Sequence, residues 1–190
     1  MGSTVPGGNI LVVCTGNICR SPYIERRLRA ALDDSFVVES AGTGALVGYP
    51  IDPSSAAMLD RDGITSDDFL ARDVSRDLLR EADLVVLAER EHLGIVARLD
   101  PRVLRKGFAL LDLAHLIRGA RREDIMAAAG QTRAAKLAAE AIARRAEVSP
   151  LSPAESSLAD PFRRELSAFE SMAGSVSEAL PVLVRALNDW

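Results

Sequence analysis

The apolar run Ile10-Leu11-Val12-Val13 leads straight into Cys14-Thr15-Gly16-Asn17-Ile18-Cys19-Arg20-Ser21-Pro22, after which Ile24, Leu28, Ala31 and Leu32 recur at helical spacing. The stretch therefore reads as a strand, a tight loop and a helix start. Gly16 and Asn17 suit the loop: glycine tolerates positive φ, and asparagine does so better than most residues while hydrogen-bonding locally. Pro22 suits the first helical turn, where its missing N–H would have no intrahelical partner. Successive inward-turned N–H groups with a helix N-terminus behind them make a concave site for a phosphate-like anion.

A thiol changes character in that field. A helix N-terminus and a nearby guanidinium lower cysteine pKa values to roughly 3.5–7.5, so Cys14 is expected to act as a thiolate nucleophile. Arg20, six residues on, can fold across the loop mouth and offer a bidentate fork to phosphate oxygens, which lysine could not copy. Ser21 can donate its hydroxyl to the sulfur. Thr15, Gly16, Asn17, Ile18, Cys19 and Arg20 are thus the expected phosphate-binding residues.

The Cys-x5-Arg-Ser arrangement resembles the phosphate loop of protein tyrosine phosphatases, and the nine-residue string directly after a first strand resembles their low-molecular-weight class. The resemblance implies a general acid in an Asp-Pro pair late in the chain, before a final helix. Asp160-Pro161-Phe162 stands there, followed by Leu166, Phe169, Met172, Val176, Leu180 and Val184 at helical spacing. Two further Asp-Pro pairs read differently: Asp52-Pro53 as a helix start and Asp100-Pro101 as a turn after a helix. Ser40-Ala41-Gly42-Thr43 also resembles the family, which implies that Ser40 braces the loop through Asn17. Cys19 is expected either to pack under the loop or to trap an oxidised Cys14 as a reversible disulfide.

The activity so implied is hydrolysis of phosphotyrosine through a thiophosphate on Cys14, with Arg20 holding the equatorial oxygens and Asp160 as acid and then base. No cofactor and no metal is expected; His92 and His115, the two histidines, read as packing or surface residues. The implied partner is a phosphotyrosine-containing protein, with a bacterial-type tyrosine kinase as its counterpart. Leu46, Tyr49 and Phe162 are the expected substrate-lining residues, although Ala45, Leu46 and Arg163 stand where tyrosine-specific members carry aromatics. Phe69 stands where some relatives use a histidine to support the loop. Arsenate reductases of the same fold need further cysteines, and the chain has only two. Protein-arginine phosphatases carry threonine at the position of Ile18. A non-catalytic phosphate-binding module would need neither nucleophile nor acid.

The 190-residue chain has a net charge of −4, which gives no reason to expect nucleic acid or an anionic membrane as partner. No apolar run is long enough to span a bilayer, and Met1–Gly8 lacks the hydrophobic segment of a signal peptide, so a cytoplasmic location is expected. Residues 1–8 read as a flexible N-terminus and 9–190 as one domain. Phe36–Ser40 and Leu84–Ala88 read as strands, 53–62 and 90–99 as helices, and Val103–Phe108 as a further strand. This alternation predicts an α/β fold: an open parallel four-stranded sheet with helices on both faces and the phosphate loop after the first strand. A helical insertion over about 111–147, broken near Gly119 or Gly130, and a Ser- and Pro-rich flexible connection over 148–159 complete the reading.

Overall fold

The computed structural model describes residues 5–188. Four strands, β1 (Gly8–Cys14), β2 (Phe36–Gly42), β3 (Leu84–Leu87) and β4 (Gly107–Ala109), form a parallel sheet in the order β2-β1-β3-β4. The helices are α1 (Arg20–Ala31), α2 (Pro53–Arg61), α3 (Arg76–Glu81), α4 (Arg90–Leu99), α5 (Leu110–Ile117), α6 (Arg122–Ala127), α7 (Arg133–Arg144) and α8 (Leu166–Asn188).

Successive strand residues point to opposite faces, and here both faces are covered, which is why the strands read as unbroken apolar runs. Ile10, Val12, Leu84 and Val86 pack with Leu28 of α1, Leu137 of α7 and Leu180 of α8. Leu11, Val13, Val85 and Leu87 pack on the other face with Leu79 of α3 and Val96 of α4. Each such side chain, buried in full, contributes about 1.5–3 kcal/mol before the entropy of ordering is subtracted. Beside β1 the chain order reverses, with β2 on one flank and β3 on the other. A crevice at the C-terminal ends of the strands belongs at such a switch point, and the Cys14 loop leaves β1 there.

Several expected elements differ in detail. Asp52 caps α2 through Ser54 N–H at 2.9 Å, as the Asp-Pro pair predicts. Asp100-Pro101 likewise opens a helical element, a 3-10 turn over Pro101–Arg105, so the last strand starts at Gly107 rather than Val103. The 111–147 region breaks at both glycines, giving α5, α6 and α7. Ala134, Leu137, Ala138 and Ala141 of α7 are buried in the core. In α8 the buried face runs through Phe169, Met172, Val176, Leu180, Leu183 and Leu187, leaving Leu166 exposed and Val184 partly so.

Residues 1–4 of the expected flexible N-terminus lie outside the described residues. Pro6 and Gly7 are held, their carbonyls accepting from Arg133 and Ala134 N–H at 2.8 and 2.9 Å. The Ser- and Pro-rich connection is also hydrogen-bonded: Ser156 is buried, and Leu158 N–H donates to the Ala88 carbonyl at 3.1 Å. No described helix is long and apolar enough to cross a membrane.

Candidate active site

Cys14 ends β1, Arg20 begins α1, and the five residues between wrap the mouth of the switch-point crevice. The loop's shape is set by its carbonyls. Those of Cys14, Thr15, Gly16 and Ile18 accept from the N–H groups of Thr43, Gly44, Leu46 and Asp52 at 2.9, 3.1, 3.0 and 2.8 Å. With the oxygens engaged by the 43–52 segment, the N–H groups of Gly16, Ile18 and Cys19 are left without an acceptor among the described residues. All three residues line a cavity of about 140 Å³ with Cys14, Arg20 and Asp160. Unpaired amides grouped in this way have the form of an anion-binding nest. Gly42 permits the approach: a Cβ there would lie 2.4 Å from the Thr15 carbonyl oxygen.

Asn17 locks the loop from below. It sits at φ +53° and is buried, with Oδ1 accepting from Arg72 N–H at 2.9 Å, which fixes the amide's orientation. Its Nδ2 donates to Ser21 Oγ and Ser40 Oγ, both at 2.9 Å. Ser40 in turn donates to the buried Glu25 carboxylate at 2.5 Å, and Arg29 lies 3.3 Å from the other Glu25 oxygen. These partners set the proton direction. Ser21 Oγ already accepts from Asn17, so its own proton is free for Cys14 Sγ, 3.0 Å away. The Asn17 N–H also points at the sulfur, at 3.3 Å. Two donors therefore converge on Cys14, organised by a chain that begins at a buried carboxylate.

Arg20 is 2% exposed and clamped at the mouth. Its Nη1 pairs with Glu89 and donates to the Leu158 carbonyl at 3.4 Å; its Nη2 lies 3.1 Å from Asp160 Oδ2. Asp160 is half-exposed, and its other oxygen accepts from Phe162 N–H at 3.2 Å, closing a tight turn. Phe162 and Leu46 flank the cavity. Tyr49 does not line it: Gly48, at φ +81°, turns the chain, and Tyr49 lies exposed with its backbone paired to Ala71.

The amino-acid sequence over residues 9–126 matches the family model of low molecular weight phosphotyrosine protein phosphatases. The chain belongs to this family. A probable low molecular weight protein-tyrosine-phosphatase of Erwinia amylovora, AmsI, is 29% identical over 180 residues, covering 95% of this chain and 97% of that protein. The AmsI crystal structure superposes with a TM-score of 0.70 over 98% of this chain and 96% of that one. The low molecular weight protein-tyrosine-phosphatase Wzb of Salmonella typhi is 40% identical over 97 residues, 51% of this chain and 64% of that protein. The YwlE arginine phosphatase of Geobacillus stearothermophilus shares the fold at 19% identity, with a TM-score of 0.70 over 96% of this chain and 94% of that one.

Within this phosphatase family fold, sequence reading missed two residues that touch the loop, Glu89 and His92, and a third, Glu25, that reaches it through Ser40. Glu25 looks like one more charge on an arginine-rich helix, and only its spacing from Cys14, placing it one turn past Ser21, hinted that it faces inward. Glu89 follows β3 closely, where the switch-point rule would have sought it. His92 is buried, with Nε2 3.0 Å from Thr15 Oγ1 and no partner for Nδ1. Burial lowers its pKa, helped by the Arg20 charge, so it is neutral at pH 7. His115 bonds the Ser149 carbonyl instead. Cys19 lies buried as a free thiol; burial, with Asp52 and Cys14 adding, pushes its pKa up to about 12.

Proposed function

We propose that the chain is a cysteine-dependent protein tyrosine phosphatase whose substrate is a phosphotyrosine-containing protein. The observation that carries the reading is the convergence of the Ser21 hydroxyl and the Asn17 N–H on Cys14 Sγ, beneath unpaired loop amides and a buried guanidinium. In this reading the phosphate dianion enters the nest and displaces Asp160 from Arg20 Nη2, while Glu89 keeps hold of Nη1. Cys14 attacks phosphorus in line as the amides of Gly16, Ile18 and Cys19 and the Arg20 fork take up the equatorial charge. Asp160, released and protonated, gives its proton to the departing phenolic oxygen. A thiophosphate remains on Cys14. Asp160 then takes a proton from water, which attacks phosphorus and expels the sulfur as a thiolate held by Ser21.

Phe162 offers one ring face to a phenyl group, with stacking worth about 0.5–1.5 kcal/mol beyond area burial, and Leu46 adds apolar surface to the same cavity. A thiol nucleophile works only while reduced, which favours the cytoplasm as its place of action and a cytoplasmic tyrosine kinase as its counterpart. Hydrolysis of an aryl phosphate, followed by a panel of phosphotyrosine, phosphoserine and phosphoarginine peptides, tests the proposal. Preference for phosphotyrosine, abolished in Cys14→Ser and strongly reduced in Asp160→Asn, is expected. A folded, reduced protein that binds vanadate but hydrolyses none of these would be a phosphate-binding module instead.

A further inference from the structure

Away from the catalytic loop, a cavity of about 440 Å³ opens between β4, α5, the end of α7 and the segment after α7. Its walls are mostly apolar, formed by Leu93, Phe108, Leu116, Val148, Pro150 and Leu151. Size and lining match a small-molecule site. Three fully charged side chains border it, and two neutralise each other: Arg90 donates from Nε and Nη2 to the two oxygens of Asp112 at 2.6 and 2.5 Å. The third, Arg145, lies over the Phe108 ring at 4.7 Å, with only the Gly107 carbonyl near, at 3.4 Å. Among the described residues it has no carboxylate partner. Its side chain is exposed, and the nearby Asp112 carboxylate, already forked by Arg90, acts on its charge only through space, so the small lowering of its pKa by burial is partly offset. The site therefore holds one surplus positive charge beside apolar walls.

The same cavity is tied to the catalytic centre along two routes. Arg90 donates to the Leu151 carbonyl at 2.9 Å, and its chain neighbour Glu89 grips Arg20. The wall segment continues from Leu151 to Leu158, whose carbonyl accepts from Arg20 two residues before Asp160. We propose that this cavity is an effector site for a small amphiphilic monocarboxylate, its carboxylate on Arg145 and its apolar body against Phe108, Leu116 and Leu151. A single guanidinium fork matches one carboxylate bidentately, whereas a phosphate dianion would lack a second cation. An occupant that shifts Leu151 or Arg90 shifts the segment that carries Asp160. Binding stands by itself; its effect on turnover rests on the phosphatase reading.

Calorimetric titration of the full chain with 4-phenylbutyrate, in the presence of saturating vanadate to fill the catalytic loop, tests the site. One-site binding is expected, weakened about tenfold or more when the alcohol 4-phenylbutan-1-ol replaces the acid or when Arg145→Gln replaces the wild type. Saturating phenylbutyrate should change kcat on an aryl phosphate in the wild type and leave Arg145→Gln unaffected. No binding at about 10 mM, competition with vanadate, or equal binding by Arg145→Gln would overturn the site. Binding that leaves kcat unchanged would overturn the effector role. Basal hydrolysis without carboxylate is measured alongside, so an inactive wild type would count against the phosphatase reading and not against the cavity.

Discussion

Replacing Ser21 by alanine should slow the second half of the proposed reaction more than the first. The Ser21 proton has one destination, Cys14 Sγ at 3.0 Å, because the oxygen is already accepting from Asn17. A hydrogen bond to a charged group contributes about 1.5–3 kcal/mol, which corresponds to a rate factor of about 10–150 at 1.36 kcal/mol per tenfold. That factor falls on thiophosphate hydrolysis, where the sulfur leaves as an anion. In the first step the sulfur is the nucleophile, and the bond ties up one of its lone pairs, so losing it costs that step less. Rapid-mixing kinetics with an aryl phosphate should show a burst close to one aryl alcohol per enzyme, followed by a steady rate reduced by the factor above. The variant also orphans a buried Asn17 hydrogen at a cost of about 1–3 kcal/mol. For a chain of this size the melting temperature should fall by about 2–4 °C per kcal/mol. An unchanged steady rate together with an unchanged melting temperature would refute the assigned proton direction.

Gly42→Ala should be destabilised by about 1–3 kcal/mol and lose activity, since its Cβ meets backbone oxygen at 2.4 Å and not a side chain that can swing away; denaturant melts and aryl phosphatase assays read both. Glu89→Gln should lower kcat by about tenfold or more through loss of Arg20 orientation, while inhibition by inorganic phosphate stays equal or tightens because a negative charge beside the anion site is gone. Weaker phosphate inhibition with normal kcat would contradict the positioning role. Mild peroxide should convert Cys14 to a sulfenic acid that Cys19 captures as a disulfide. Because burial keeps Cys19 protonated, with a pKa near 12, capture should accelerate by about tenfold per pH unit between neutral and mildly alkaline pH. Stopped-flow oxidation with mass mapping checks the slope, and overoxidised Cys14 without disulfide would exclude the pair.

The parts legible in the sequence are those whose signal is local. Strand, loop and helix over 10–32 announce themselves by a change of period and by Pro22, whereas Asp160 stands out among three Asp-Pro pairs only through the family resemblance. The Ser40–Asn17 bond was reached only through the family resemblance, since nothing in either segment alone points across 23 positions. What stayed hidden depends on tertiary packing. Glu25 on α1 looks solvated until β2 brings Ser40 onto it. Glu89 meets Arg20 across 69 residues, and the loop carbonyls are oriented by amides of a segment about 30 positions away. Tyr49 sits close to the cleft in sequence, but the positive-φ turn at Gly48 leaves it exposed and outside the cavity lining. Val103 looks like a strand residue, but the Asp100 cap and Pro101 commit that stretch to a helical turn, and the last strand begins at Gly107.

The most direct test is acid quenching of the enzyme during turnover of an aryl phosphate, followed by mass mapping of the phosphorylated peptide. Phosphate on Cys14, absent from Cys19 and accumulating further in Ser21→Ala, is the predicted result. A turning-over enzyme, wild type or Ser21→Ala, that carries its phosphate on a residue other than Cys14, or a Ser21→Ala variant that turns over with no trapped phosphate at all, would contradict Cys14 as the nucleophile.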